Sequence, residues 1–273
     1  MAKGNRGGQR AGQSKARSTS QDYPEAFHPG KDYQAVNGVD HVLRTVSRTT
    51  QQEWDVYATQ LNKGVTAADE TAIMKDFDWR TGDVYGYVRT TNAFAINKAL
   101  YDPNNAGKTD AQIFSRPQDR QTVAALDKSI ANNVTPANAS YTRFTSANAI
   151  QSAFGLTNQE MSMIAKAPQM NAAQLAQLNK ILSGKTSYSR SFTSASANRS
   201  LNAFGDPTKK QSRGFFFERK LNVPQGTHAY APMKNAQESE VIFGRRMGTK
   251  LAGISVSSDG HIVFHEWFDG YKK

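Results

Sequence analysis

Glu238-Ser239-Glu240 places two carboxylates two residues apart in a stretch, 238–244, whose β-branched and aromatic content predicts a strand. Successive strand side chains alternate faces, so both acids leave the same face, roughly 7 Å apart. Such a like-charged pair is either a catalytic feature or two solvated acids on an exposed strand edge. Two other stretches carry groups that complement it. Tyr141-Thr142-Arg143 sets an aromatic and an arginine on one face of a predicted strand at 139–144. Phe192-Thr193-Ser194-Ala195-Ser196 sets two hydroxyls at i and i+2, in and just beyond a predicted strand at 188–194. An arginine offers a planar, bidentate fork for a pyrophosphate. A serine pair hydrogen-bonds a ribose and fixes a carboxylate in one rotamer. A carboxylate grips a sugar hydroxyl and stabilises positive charge developing at the anomeric carbon. Breaking the N-glycosidic bond of a nucleotide needs those three tasks.

The elements that must position these groups fall in an order. Val39, Val42, Leu43 and Val46, then Trp54, Tyr57 and Leu61, recur at helical spacing, and Gly64 fits as a stop. Further helices are predicted at 67–76, 83–100 and 117–131. Two shorter ones open at the capping box Thr157-Asn158-Gln159-Glu160 and run from Asn171 to Gly184. Strands gather later, at 139–144, 188–194, 214–223, 238–244, 250–256 and 261–268, and Ser258-Asp259-Gly260 predicts a hairpin between the last two. Helices followed by strands argue for an α+β fold rather than a parallel α/β sheet.

Composition bounds the partners. The 273-residue chain carries a formal charge of +11, which favours anionic partners. Cys is absent, which excludes disulfides, thiolate metal sites and a Cys nucleophile. Residues 1–35 are rich in Gly, Gln, Ser and basic side chains, and are expected to be a disordered tail that either contacts RNA or solubilises the chain. One domain is expected over 36–273, helical to 135 and β-rich from 136. No apolar stretch is long enough to span a membrane and MAKGNRGGQR has no apolar signal core, so a cytoplasmic location is expected.

Several motifs fail on physical grounds. Gly184-Lys185-Thr186 mimics the end of a phosphate loop, but position 179 is Asn where a Gly is required. His261 and His265 would lie about 13 Å apart on a strand, too far for one ion, so structural roles and no metal are expected. Arg245-Arg246 and Lys209-Lys210 are expected to be solvated basic surface.

The ordered set Arg143, Ser194, Glu240 resembles the R-S-E class of mono-ADP-ribosyltransferases, toxin-like enzymes that use NAD⁺. Tyr85-Gly86-Tyr87 followed by Phe94-Ala95-Ile96-Asn97-Lys98-Ala99-Leu100 is similar to the family's Y-x(n)-Y-x-x-I-N-x-x-L helix. Leu221-Asn222-Val223-Pro224-Gln225-Gly226-Thr227 is similar to its V-P-x-G-T strand end, and Glu240-Val241-Ile242-Phe243 with Arg245-Arg246-Met247-Gly248-Thr249 loosely matches E-V-L-L-P-R-G-T. The likeness covers roughly residues 70–268. It implies a helical portion packed on a two-sheet β core. It also implies that Arg143 anchors the NAD⁺ phosphates, that Ser194 orients Glu240 with Ser196 in support, and that Glu240 binds the nicotinamide ribose. Arg199 and Phe204 would contact the cofactor from a loop at 197–213, and Tyr230 would pack on the acceptor. Glu238, the first acid of E-x-E, goes with arginine acceptors in this family. The sequence departs from the family at Phe144, where Gly is usual, and at Ala195, where Thr is usual. The resemblance implies an acceptor protein, possible RNA contact through the tail, and a phage-encoded or injected enzyme acting on host transcription or translation machinery. The alternatives are an inactive basic module that binds nucleic acid and an NAD⁺ glycohydrolase.

Overall fold

The structure is a computed structural model. It describes residues 51–74, 77–78, 83–84, 86–88, 92–136, 138–196, 216–233, 240–256 and 262–272. The basic tail, the helical pattern before residue 51, Tyr85, Lys209-Lys210, His261, the hairpin at 258–260 and the loop at 197–213 lie outside the described residues.

Helices α1 (Gln51–Leu61), α2 (Ala67–Met74), α3 (Asn92–Tyr101), α4 (Asp110–Ile113) and α5 (Pro117–Ala131) come first. α5 follows the apolar spacing of its sequence, with Pro117 in its first turn and Val123, Leu126 and Ile130 buried. The helix expected at 83–100 is a correction. Asp83–Val84 instead forms a short strand, β2, antiparallel to β1 (Phe77–Asp78). Gly86 then takes φ +82°, a left-handed turn, and the helix starts only at Asn92, whose Nδ2 donates to the Gly86 carbonyl.

Eight strands follow: β3 (Ala139–Ser146), β4 (Thr186–Ser189), β5 (Thr193–Ser196), β6 (Phe216–Val223), β7 (Ala229–Tyr230), β8 (Glu240–Phe243), β9 (Met247–Val256) and β10 (Ile262–Tyr271). They join in the order β4-β9-β10-β6-β3-β5-β8-β7. This is the α+β class read from the sequence. β3 and β6 pair along their whole length, whereas β3 and β5 share the single register pair Thr142–Ser196. That junction divides the sheet into two halves, and the candidate motifs lie on either side of it.

The strand expected at 188–194 proves to be two. Ser189 Oγ donates to the Ser191 carbonyl, closing a local turn, and the chain passes from β4 beside β9 to β5 beside β8. Helices α6 (Ala147–Phe154), α7 (Asn158–Ala165) and α8 (Ala172–Leu182) bridge β3 and β4. α7 opens with the expected box: Thr157 N–H donates to Glu160 Oε2, and Glu160 N–H to Thr157 Oγ1. α6 had no clear signal in its short sequence. Ser146 caps it by accepting from the Ala149 N–H, so β3 runs directly into the helix.

Three apolar clusters support these layers. One packs α1 on the sheet through Tyr57, Leu61, Tyr141, Ala195, Val241 and Phe243. A second binds α2, α3 and α5 to Phe192, Tyr230 and Ile242. The third gathers α6–α8 on Phe217, Leu251, Ile254 and Phe264.

Candidate active site

Arg143, Ser194 and Glu240 arise from β3, β5 and β8, three strands that are consecutive in the sheet. Register brings them together. Ser196 lies opposite Glu240 across the antiparallel β5–β8 pair, and Ser194 lies opposite Ile242. Arg143 Nη1 donates to the Ser194 carbonyl at 2.8 Å, tying the arginine to the serine strand. Glu240 is 9% exposed and Ser196 4%, so the carboxylate sits at a nearly closed junction where charge acts at short range in a low dielectric.

A tyrosine joins the group. Tyr87, 3% exposed, places its hydroxyl 3.4 Å from Ser194 Oγ and accepts from Asn97 Nδ2 at 2.7 Å. Its ring meets Phe192 edge-on at 5.6 Å. Burial pushes the Tyr87 phenol above its ordinary value and the Glu240 charge adds to this, while the bonds to Ser194 and Asn97 oppose it. The phenol therefore stays neutral and can donate. The sequence offered Tyr87 only as part of a helix motif; its contact with the serine needs the turn at Gly86 and the packing of α3.

Burial and the nearby charge of Arg219 lower the Arg143 pKa, with Tyr87, Glu240 and Glu266 acting in the opposite direction. Arg219 is the register partner of Arg143 on β6.

Phe144 lies opposite Glu218 and is half-buried. Ala195 is 5% exposed, opposite Val241 within the α1 cluster. A hydroxyl there would enter an apolar core, so alanine at this position suits the packing. Glu238, Arg199 and Phe204 lie outside the described residues.

Two expectations are overturned. Tyr230 does not face an acceptor: it is fully buried in the cluster that holds Leu126 and Ile242, and burial raises its pKa strongly. Arg245 is not free basic surface. It forms hydrogen-bonded ion pairs with Asp110 and Asp127 and stands 5.8 Å from the Phe192 ring centre. It thereby ties the end of β8 to α4 and α5. His265 is structural as expected, 5% exposed with Nε2 2.8 Å from Ser255 Oγ. Lys185 pairs with Glu160 at 3.0 Å rather than serving a phosphate loop.

Arg143, Ser194 and Glu240 on consecutive strands of an α+β frame are the arrangement expected from the resemblance to the R-S-E class. The model of the ADP-ribosyltransferase exoenzyme family matches residues 78–263, more than half of the chain, and the chain belongs to that family. Among solved structures, C3stau2 from S. aureus, crystallised with NAD, matches at TM-score 0.56 and 20% identity over 84% of this chain and 99% of its own. The Clostridium limosum C3 exoenzyme matches at TM-score 0.54 and 18% identity over 83% and 98%. Plx2a, an ADP-ribosyltransferase toxin from Paenibacillus larvae, matches at 0.54 and 15% over 83% and 100%. At these identities the likeness is one of fold. No curated protein matches by sequence.

Proposed function

We propose that this chain transfers ADP-ribose from NAD⁺ to arginine side chains of a macromolecular acceptor, releasing nicotinamide. One observation carries the reading: β3, β5 and β8 are adjacent, and the Arg143 fork is bonded to the serine strand that faces Glu240. NAD⁺ is the co-substrate in this reading. C3stau2 and the BECa toxin of C. perfringens, the latter with TM-score 0.51 over 80% of this chain, were crystallised with NAD and NADH respectively.

Each residue then has a task. Arg143 holds the dinucleotide phosphates, since its fork suits paired phosphate oxygens. Glu240 accepts from the ribose 2′-hydroxyl and stabilises positive charge on the ribose as the C1′–N bond to nicotinamide breaks. Ser196, opposite Glu240, and Ser194, beside Tyr87, hold the carboxylate and the ribose in place. Glu238 orients the acceptor guanidinium and takes its proton as the new N–C1′ bond forms. A guanidinium is a poor nucleophile while protonated, so the second carboxylate has a defined use.

The charge of +11 suits an anionic or ribonucleoprotein target. In this reading the acceptor is a host transcription or translation component, met in the host cytoplasm by a phage-encoded or injected enzyme, with the basic tail adding RNA contact.

The test is incubation with a labelled NAD⁺ analogue and bacterial lysate, followed by separation of products. Label on protein that hydroxylamine treatment releases in the manner of arginine adducts supports the reading. Free ADP-ribose alone would make the chain a glycohydrolase, and no turnover would make it a binding module.

A further inference from the structure

The antiparallel register of β3 and β6 puts Arg143 directly opposite Arg219. Residues so paired leave the same face with Cβ atoms about 5 Å apart, and like charges in that relation are destabilising. The arrangement is held by a second device. Glu266, fully buried on β10, takes Arg219 in a two-point bond, Nε to Oε1 at 2.5 Å and Nη2 to Oε2 at 2.6 Å. Thr249 Oγ1 donates to the same Oε2 at 2.7 Å, and the Phe154 ring centre lies 5.6 Å from the Arg219 guanidinium carbon. The fork of Arg219 is thus fixed in orientation, with Nη1 left over.

The donor count shows what is unused. A guanidinium has five N–H donors. Arg143 spends one on the Ser194 carbonyl, and Arg219 spends its Nε and Nη2 bonds on Glu266. Arg143 Nε and Nη2 and Arg219 Nη1 have no partner among the described residues. Both side chains are half-buried, and that of Arg219 is 16% exposed. A buried ion pair by itself seldom adds stability over an apolar replacement, so stability does not explain a second arginine beside Arg143. An anion with several acceptor oxygens does: it converts the repulsion into attraction and satisfies the remaining donors of both side chains.

We propose that Arg219 is a second phosphate-binding residue of this site, so that a pyrophosphate lies across β3 and β6 with one phosphate on Arg143 Nε and Nη2 and the other on Arg219 Nη1. Glu266 is its positioning residue, holding Arg219 so that Nη1 faces the ligand. The proposal rests on the dinucleotide reading above and adds a residue to it.

The experiment titrates the full chain with ADP-ribose, which carries the pyrophosphate but has no nicotinamide to lose, and uses inorganic pyrophosphate as a competitor. R219Q/E266Q removes the pair together, so no charge is left buried alone. It is expected to bind ADP-ribose roughly ten- to a hundredfold more weakly, with pyrophosphate competition weakened in parallel. Nicotinamide inhibition should not change. R219K keeps the ion pair but not the fork, and should show a smaller loss with a native melting profile. Unchanged ADP-ribose binding in either folded variant overturns the proposal while leaving the dinucleotide reading intact. Failure of the wild-type chain to bind ADP-ribose or NAD⁺ overturns both.

Discussion

Ser196 faces Glu240 across the β5–β8 pair, and both are more than nine-tenths buried. A carboxylate seldom sits this deep without partners that hold it. The pairing brings the serine motif and the acidic motif side by side although they are far apart in the chain.

Glu240→Gln keeps the side-chain shape in β8 and removes its charge. Both arginine modification and NAD⁺ hydrolysis should fall by ~10²–10³-fold or more, with circular dichroism unchanged. Near-native turnover would remove Glu240 from the site.

Arg143→Lys replaces the fork with a point charge and deletes the bond from Nη1 to the Ser194 carbonyl. Calorimetry should show a weaker NAD⁺ dissociation constant by at least tenfold. An unchanged constant would place the phosphate anchor elsewhere.

Tyr87→Phe removes the hydroxyl between Asn97 and Ser194 and keeps the ring against Phe192. Stability should drop by about 1 kcal/mol, the worth of an ordinary hydrogen bond. The turnover number should fall severalfold with little change in KM, since the bond positions a serine rather than binding the dinucleotide. A larger effect on KM than on turnover would contradict that role.

Glu238→Gln separates the two halves of the reaction. Arginine modification should nearly vanish while hydrolysis to free ADP-ribose survives, because water needs less positioning than a guanidinium. Both products are measured in one reaction mixture; equal loss of both would mean the two acids act as one unit.

His265 sets an acid limit on stability. Burial, helped by the charge of Lys220 opposite it, lowers its pKa to about 3 from an unfolded 6.5. Between those values the unfolded chain binds a proton that the folded chain does not, so stability falls as pH drops below 6.5. The contribution lost by pH 5 is about 2 kcal/mol. Urea titrations of His265→Gln should show a shallower fall from pH 7 to 5 than the wild type; identical slopes would mean His265 is protonated in the fold.

The motifs of the candidate site were legible in the sequence because they are local. Tyr141-Thr142-Arg143, Phe192 to Ser196 and Glu240-Val241-Ile242-Phe243 each name a residue type, a spacing and a strand, and the strand period fixes which neighbours share a face. The α5 span and the Thr157–Glu160 box were equally local, set by apolar spacing and by a side chain meeting its own backbone. Everything that joins distant segments was decided by the tertiary structure. Strand order depends on which edges can bury their faces together, so the split of 188–194 into β4 and β5 could not be seen in a run of uniformly strand-forming residues. Arg245 reads as surface until Asp110 and Asp127 are brought beside it, and Tyr230 reads as exposed until the α5 face covers it. The opposition of Arg143 and Arg219, and the buried Glu266 that holds it, depends on register across β3, β6 and β10. Register is set by the burial of whole strands, and no single stretch of sequence contains it.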